Sequence, residues 1–284
     1  MKFIKFSLCL YKVHAAIALT AAVMASNIFS REVETNRKEQ TDPKWILVWE
    51  DDFETDGMID STVWSKIPRS HVPWCIHMSD YDELYDVKDG NLILRGMVNP
   101  GLPGDTMPFL TGGIFTKDKK SFYRGKIEIR AKLGMAKGAW PAFWLLSFDN
   151  TYRPHMAEID IMEYFNHNYD QVSQAIHCYY NLDLGQSEPK KFVDPPIHKG
   201  EYNVYGVELW ADSVVLRVNG HRTLCYPRIE TDLEWQFPFD RPFLLLLDMQ
   251  LGGLEDDYRI GKPDPNDLPV EMQIDWVRFY EYSR

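Results

Sequence analysis

The sequence predicts an all-β chain, folded as a sandwich or jelly roll of two antiparallel sheets. Three observations carry that expectation. Short runs of alternating apolar and polar residues recur about every ten residues from Trp45 onward. Seventeen Gly and seventeen Pro, spread along the 284 residues, suit repeated turns better than helices. No segment holds a 3.6-residue period with caps over three turns.

The N-terminal stretch stands outside this pattern. Lys2, Lys5 and Lys12 form a basic leader, "AAIALTAAVMA" (15–25) is an apolar run of small residues, and "VMA" before Ser26 resembles a cleavage site. The run is short for a membrane span, so residues 1–25 read as a signal peptide and the protein as secreted, periplasmic or cell-surface. Residues 26–43 are polar and without period, a flexible tether. One domain follows, 44–284, with no internal repeat and no further linker.

The strands then come in order. "KWILVWEDDF" opens the domain, and "DVKDGNLILRG" places Asp89-Gly90 as a tight turn between two strands. "GKIEIRAKL" sets Ile127, Ile129, Ala131 and Leu133 on one face against Lys126, Glu128, Arg130 and Lys132 on the other. "VYGVELWADSVVLRVNGHRTLCYP" holds two hairpins, the second turning at Asn219-Gly220. "PFLLLLDMQLGG" is continuously apolar, as expected of a strand buried on both faces, and "EMQIDWVRFYEY" closes the chain with alternation.

Composition narrows the partner. Removing residues 1–25 takes away three Lys and no acidic residue, moving the net charge from −11 to −14. Such a surface repels nucleic acid and other polyanions, which favours a neutral partner. Nine Trp and fifteen Tyr provide flat surfaces for a groove as well as a core. Beyond the leader's Cys9 remain Cys75, Cys178 and Cys225, an odd count that allows at most one disulfide; no spacing suggests a metal, and buried free thiols are expected.

One strand breaks its own rule. In "HMAEIDIMEYFNH", Glu158 and Asp160 share a face, but Glu163 lies at an odd offset and on a regular strand would enter the core. Three clustered carboxylates raise one another's pKa and add nothing to stability, whereas two carboxyls with separated pKa values are what glycoside hydrolysis uses. A β-bulge in which Ile161 and Met162 together oppose one partner residue would return Glu163 to the face of the others. The two Glu would then lie roughly 13 Å apart at Cα, and side chains leaning together would bring the carboxyls to about 5–6 Å, a gap suited to a retaining mechanism.

"EIDIME" resembles the catalytic signature of glycoside hydrolase family 16 in its bulged form. "LTGGIFTK", "YRGKIEIRAKL", "GAWPAFWLL", "VYGVELW", "QLGG" and "IDWVRFY" resemble further segments of that family in the same order, over roughly 45–282. The resemblance implies a concanavalin-like jelly roll of two curved sheets with a cleft on the concave face. It implies Glu158 as nucleophile, Glu163 as acid/base and Asp160 as the group that tunes Glu158.

Of Trp140 and Trp144, only one is expected to face the cleft, since Trp144 could equally be core; the resemblance favours Trp140 as a sugar platform. It places His177 near the acid/base, and Gln250 with Asp248 within reach of the cleft. Trp74, Arg69 and His77, in "PRSHVPWCIHMSD" (68–80), are similar to bacterial endo-β-galactosidases acting on host O-glycans and poly-lactosamine. Many relatives hold a structural calcium, for which Asp52, Gly90 and Asp275 match the ligand positions; no cofactor is expected for catalysis. The expectation is a monomeric, endo-acting retaining β-glycosidase cutting internal β-galactosidic linkages of an oligosaccharide or polysaccharide. The alternatives are an endo-β-1,3(4)-glucanase, a transglycosylase, or a non-catalytic carbohydrate-binding protein of the same fold.

Overall fold

Alternation in the segment 125–132 sets the pattern for the whole fold. Ile127, Ile129 and Ala131 are completely buried, while Lys126, Glu128, Arg130 and Lys132 occupy the opposite face. The computed structural model describes residues 44–149, 154–165, 170–252 and 260–283. The expected signal peptide and tether therefore lie outside the described residues.

The first strands are β1 (Trp45–Asp51), β2 (Ser65–Lys66), β3 (Tyr85–Lys88), β4 (Asn91–Val98), β5 (Phe109–Thr111) and β6 (Gly113–Phe115). The middle of the chain forms β7 (Gly125–Lys132), β8 (Ala139–Ser147), β9 (Ala157–Glu163), β10 (Ser173–Cys178) and β11 (Phe192–Val193). The last are β12 (Tyr202–Leu209), β13 (Ser213–Val218), β14 (His221–Pro227), β15 (Phe243–Leu251) and β16 (Val270–Tyr282). A single helical turn, α1 (Tyr179–Leu182), follows β10.

Among the described residues these strands form two antiparallel sheets. One runs β14-β13-β12-β7-β16-β4-β3, with β1 also paired to β16 and β5 to β4; the other runs β11-β10-β9-β8-β15-β6-β2. Both expected hairpin turns are present. Asp89 and Gly90 have φ of 52° and 70°, and Asn219 and Gly220 have 50° and 78°. Positive φ at both central residues matches the right-handed twist of the flanking strands.

The main core lies between the sheets, where Ile127, Val207 and Ile274 of one pack with Phe143, Ile159 and Leu247 of the other. Every residue of β15 is buried, as its apolar run foretold. The reason is a second, smaller cluster on the far side of the same sheet. There Ile67, Cys75 and Met78, from the segment that follows β2, pack on Ala142, Trp144, Leu244 and Leu246. That segment carries a short 3-10 turn, Pro73–Cys75, and so walls one side of the outer face of β8 and β15. Cys75 and Cys178 are buried free thiols, but Cys225 is exposed, contrary to expectation: β14 is an edge strand and its alternation turns that position outward.

Candidate active site

The register of β9 resolves the odd offset of Glu163. Against β10, Ser173 pairs with Glu163 and Ala175 with Asp160, so Ile161 and Met162 share the single residue Gln174. Against β8, Phe143 pairs with Met162 and Trp144 with Asp160, which leaves Ile161 as the inserted residue. This is a β-bulge at the expected place. It sets Glu158, Asp160 and Glu163 opposite Leu146, Trp144 and Ala142, alternate residues on one face of β8. Ile159, Ile161 and Met162 are fully buried in the main core and hold the strand from behind.

The carboxylates meet at a pocket of ≈ 150 Å³ lined by Trp74, Trp140, Ala142, Trp144, Glu158, Asp160, Glu163 and Gln250. Both tryptophans of "AWPAFW" therefore contribute, correcting the expectation that only one would. Four residues apart on a regular strand they must share a face. Trp140 Nε1 donates to Glu163 Oε1 at 3.1 Å. Trp144 Nε1 donates to Asp248 Oδ2 at 3.0 Å, and its ring stacks edge-on against Trp74 with centroids 4.9 Å apart.

Burial pushes the Glu163 carboxyl well above the usual range; Asp160 and, to a lesser extent, Glu158 add to this, while Trp140 and His177 oppose it. Asp160 is raised first by its burial and then by Asp248. Its Oδ2 lies 3.0 Å from His177 Nε2. Asp248 is fully buried and lifted by desolvation to about 7, against the donors Trp144 and Gln250. Glu158 presents a carboxylate oxygen within 4.8 Å of donor atoms on both Asp160 and His177. A carboxyl whose pKa is raised by burial, beside a second carboxylate on the same face, is the arrangement that general-acid and nucleophilic roles require.

The Glu158–Asp160–His177 set is also the one His-and-acid cluster among the described residues able to hold a cation. Imidazole with carboxylates suits a transition metal, which would occupy the same space as a substrate.

Other expected positions fall elsewhere. Arg69 does not line the pocket: its guanidinium forks onto Asp105 at 2.8 Å for each bond, and Nε donates to the Met78 carbonyl at 2.9 Å. It ties down the segment that carries Trp74. His77 is 2% exposed and edge-on to Phe109, and burial lowers its pKa against the opposing backbone groups of Gly252 and Phe109. It belongs to the wall and not to the sugar-facing surface. The proposed calcium ligands do not fit. Asp275 lies on β16, but its carboxylate is bridged by the Arg130 guanidinium. A neutralised carboxylate is a poor ligand for a hard cation.

The sequence undervalued Asp248. Its signal was there: two polar residues spaced by two, Asp248 and Gln250, inside an otherwise apolar strand. Gly113 pairs with Asp248 across β6 and β15, and a Cβ at Gly113 would sit 2.8 Å from the Asp248 Cβ, so glycine there makes room for the acid.

Comparison with known proteins agrees with this geometry. A keratan-sulfate endo-1,4-beta-galactosidase of Sphingobacterium multivorum is 33% identical over 240 residues, 83% of this chain and 55% of that protein. This chain thus spans about half of that relative's length. A beta-glucanase of Rhodothermus marinus is 27% identical over 96% of this chain and 98% of its own length. A solved endo-acting O-glycanase of the human gut microbiota, connected with mucin breakdown, superposes with a TM-score of 0.72 at 29% identity, over 84% of this chain and all of that one. The family model of Glycosyl hydrolases family 16 matches residues 94–278, from β4 almost to the end of β16 and across the whole bulged strand. The chain belongs to glycosyl hydrolases family 16.

Proposed function

We propose that the protein is a secreted, endo-acting, retaining β-glycosidase that cuts internal β-galactosidic linkages in O-glycan or poly-lactosamine chains. The observation that carries the hydrolytic reading is the bulge at Ile161, which puts Glu158 and Glu163 on one pocket face with Asp160 between them. In this reading the Glu158 carboxylate attacks the anomeric carbon, and the C–O bond to the leaving sugar breaks as Glu163 gives that oxygen its proton. Glu163, now a carboxylate, takes a proton from water; the hydroxide adds to the anomeric carbon and Glu158 leaves. Two inversions give net retention. Asp160, paired with His177, holds the Glu158 side of the site in place.

The galactan assignment is supported by the 33% identity to an endo-galactosidase and by the likeness to an O-glycanase. Trp74, from the segment similar to bacterial endo-β-galactosidases, forms part of the pocket. The acidic balance of −11 favours unsulfated over heavily sulfated chains. The glucanase reading is favoured above all by the match to nearly the full length of the Rhodothermus marinus enzyme. A product screen on laminarin, mixed-linkage glucan, poly-lactosamine and mucin O-glycans separates the two; release from the last two is expected, and activity on laminarin alone would reverse the assignment. Glu158→Gln and Glu163→Gln should each lower turnover by about 10²–10⁴-fold with folding intact. Undiminished hydrolysis by either variant would strip that glutamate of its catalytic role. Export predicts a mature N-terminus at Ser26, read by mass spectrometry of the secreted protein.

A further inference from the structure

At the floor of the pocket an amide is held in one orientation by a carboxylate that touches no solvent. Asp248 is completely buried and both of its oxygens are used: Oδ2 accepts from Trp144 Nε1 at 3.0 Å and Oδ1 from Gln250 Nε2 at 2.7 Å. Above its pKa of about 7 the Asp248 carboxylate only accepts, so the Gln250 NH2 turns to it. The other end of that amide, Oε1, is buried and has no partner among the described residues, although Gln250 lines the pocket and is 2% exposed. Buried acceptors are normally paired, and one left open at a binding surface marks where a ligand donor belongs.

We propose that Gln250 Oε1 accepts a hydrogen bond from one hydroxyl of the sugar held beside the scissile bond. Gln250 is then a specificity-determining residue, and Asp248 is the positioning residue that fixes its polarity. This rests on the glycosidase reading of the same pocket. Trp140 is the cross-strand partner of Gln250 on β8, so an indole and an acceptor stand side by side on the face that meets the sugar. The selectivity follows from the fixed amide. A freely turning Gln would donate or accept, and would tolerate a hydroxyl, an ether oxygen or a fluorine alike. Pinned by Asp248, it accepts only, and rejects any sugar without a hydroxyl at that place.

The atoms themselves provide the test. In Asp248→Asn, the side-chain oxygen still accepts from Trp144, which turns Nδ2 toward Gln250. The Gln250 amide must then flip, offering Oε1 to Asn and pointing its NH2 into the pocket, with no change of volume. In the double variant D248N/Q250E, the glutamate accepts from the new Nδ2 and returns an oxygen to the pocket.

The measurement is kcat/KM at pH 8, on whichever of the four glycans wild type cleaves best. It is paired with analogues in which each hydroxyl of the sugar on the non-reducing side of the cut is replaced in turn by fluorine. Wild type should lose about 10–100-fold at one hydroxyl position. D248N should fall by a similar factor on the natural substrate but lose that discrimination, the double variant should recover most of both, and Gln250→Met should lack the discrimination altogether.

A wild type indifferent to every fluorine substitution overturns the inference. So does a D248N that keeps the wild-type preference, or a double variant poorer than the single. Because the glycan is chosen by activity, cleavage of a glucan would reverse the galactan reading and leave this test intact. If wild type binds a glycan without cutting it, the hydrolytic reading fails, and the same comparison of variants and analogues is read as dissociation constants. Should D248N not fold, Gln250→Met against wild type decides: equal response to all fluorinated analogues in both proteins overturns the inference.

Discussion

Glu163 shows how a single residue can set function against stability. Burial and Asp160 raise the pKa of its carboxyl, whereas in the unfolded chain it ionises above about pH 4.3. Between those two pKa values the folded protein binds a proton that the unfolded chain has released, so stability falls as pH rises through that window. Glu163→Gln keeps an acceptor for Trp140 and removes the titration. The variant is expected to melt at a higher temperature than wild type at pH 8, with the difference closing toward pH 4. Equal melting temperatures across that range would mean that Glu163 ionises freely in the fold. The same protonation predicts that kcat/KM declines on the alkaline side as Glu163 loses its proton. Asp160 and Asp248 add to this tension, since both are buried carboxyls raised above their ordinary value. Trp144, Gln250 and His177 supply the donors that keep the group ordered.

At the scale of the element, the bulge in β9 is the decisive feature. Deleting Ile161 and Met162 together would make the strand regular, keep Glu158 and Asp160 in place, and leave Glu163 at an odd offset, turned toward the main core. An unpaired carboxyl there costs roughly 3–5 kcal/mol. The expected outcome is loss of turnover together with a lower melting temperature, unlike Glu163→Gln, which loses turnover and gains stability. A deletion variant with wild-type activity would show that strand parity does not place the acid. The bulge was legible in the sequence because three carboxylates at offsets of two and three cannot share a face of a regular strand. The wall over β8 and β15 was not. "PRSHVPWCIHMSD" has no period, and nothing local indicates that Cys75 and Met78 pack on Trp144 and Leu246 or that Arg69 is taken by Asp105.

For the molecule as a whole, the sandwich provides one sheet face for the core and one for chemistry, and the acids stand on the face away from the main core. Electrostatics elsewhere serves structure. Along the outer face of the other sheet, Lys126 lies over Tyr280 at 4.4 Å, Arg130 over Tyr202 at 4.3 Å and Arg278 over Trp276 at 4.2 Å. Arg130 also neutralises Asp275, so a chelator should leave the melting temperature unchanged. A drop on EDTA that calcium reverses would show Asp275 exchanging the guanidinium for a cation.

By itself the sequence determined the all-β class, the turns at Asp89-Gly90 and Asn219-Gly220, and the bulged acid strand. Each of these is written in period-two patterning or in residues that tolerate positive φ, and such signals are local. Tertiary structure decided what walls the pocket, that Arg69 and His77 stand outside it, and that Asp275 is taken by Arg130. It alone joined Asp248 to Trp144, because hydrogen bonds across strands depend on register between segments a hundred residues apart, which no local pattern encodes.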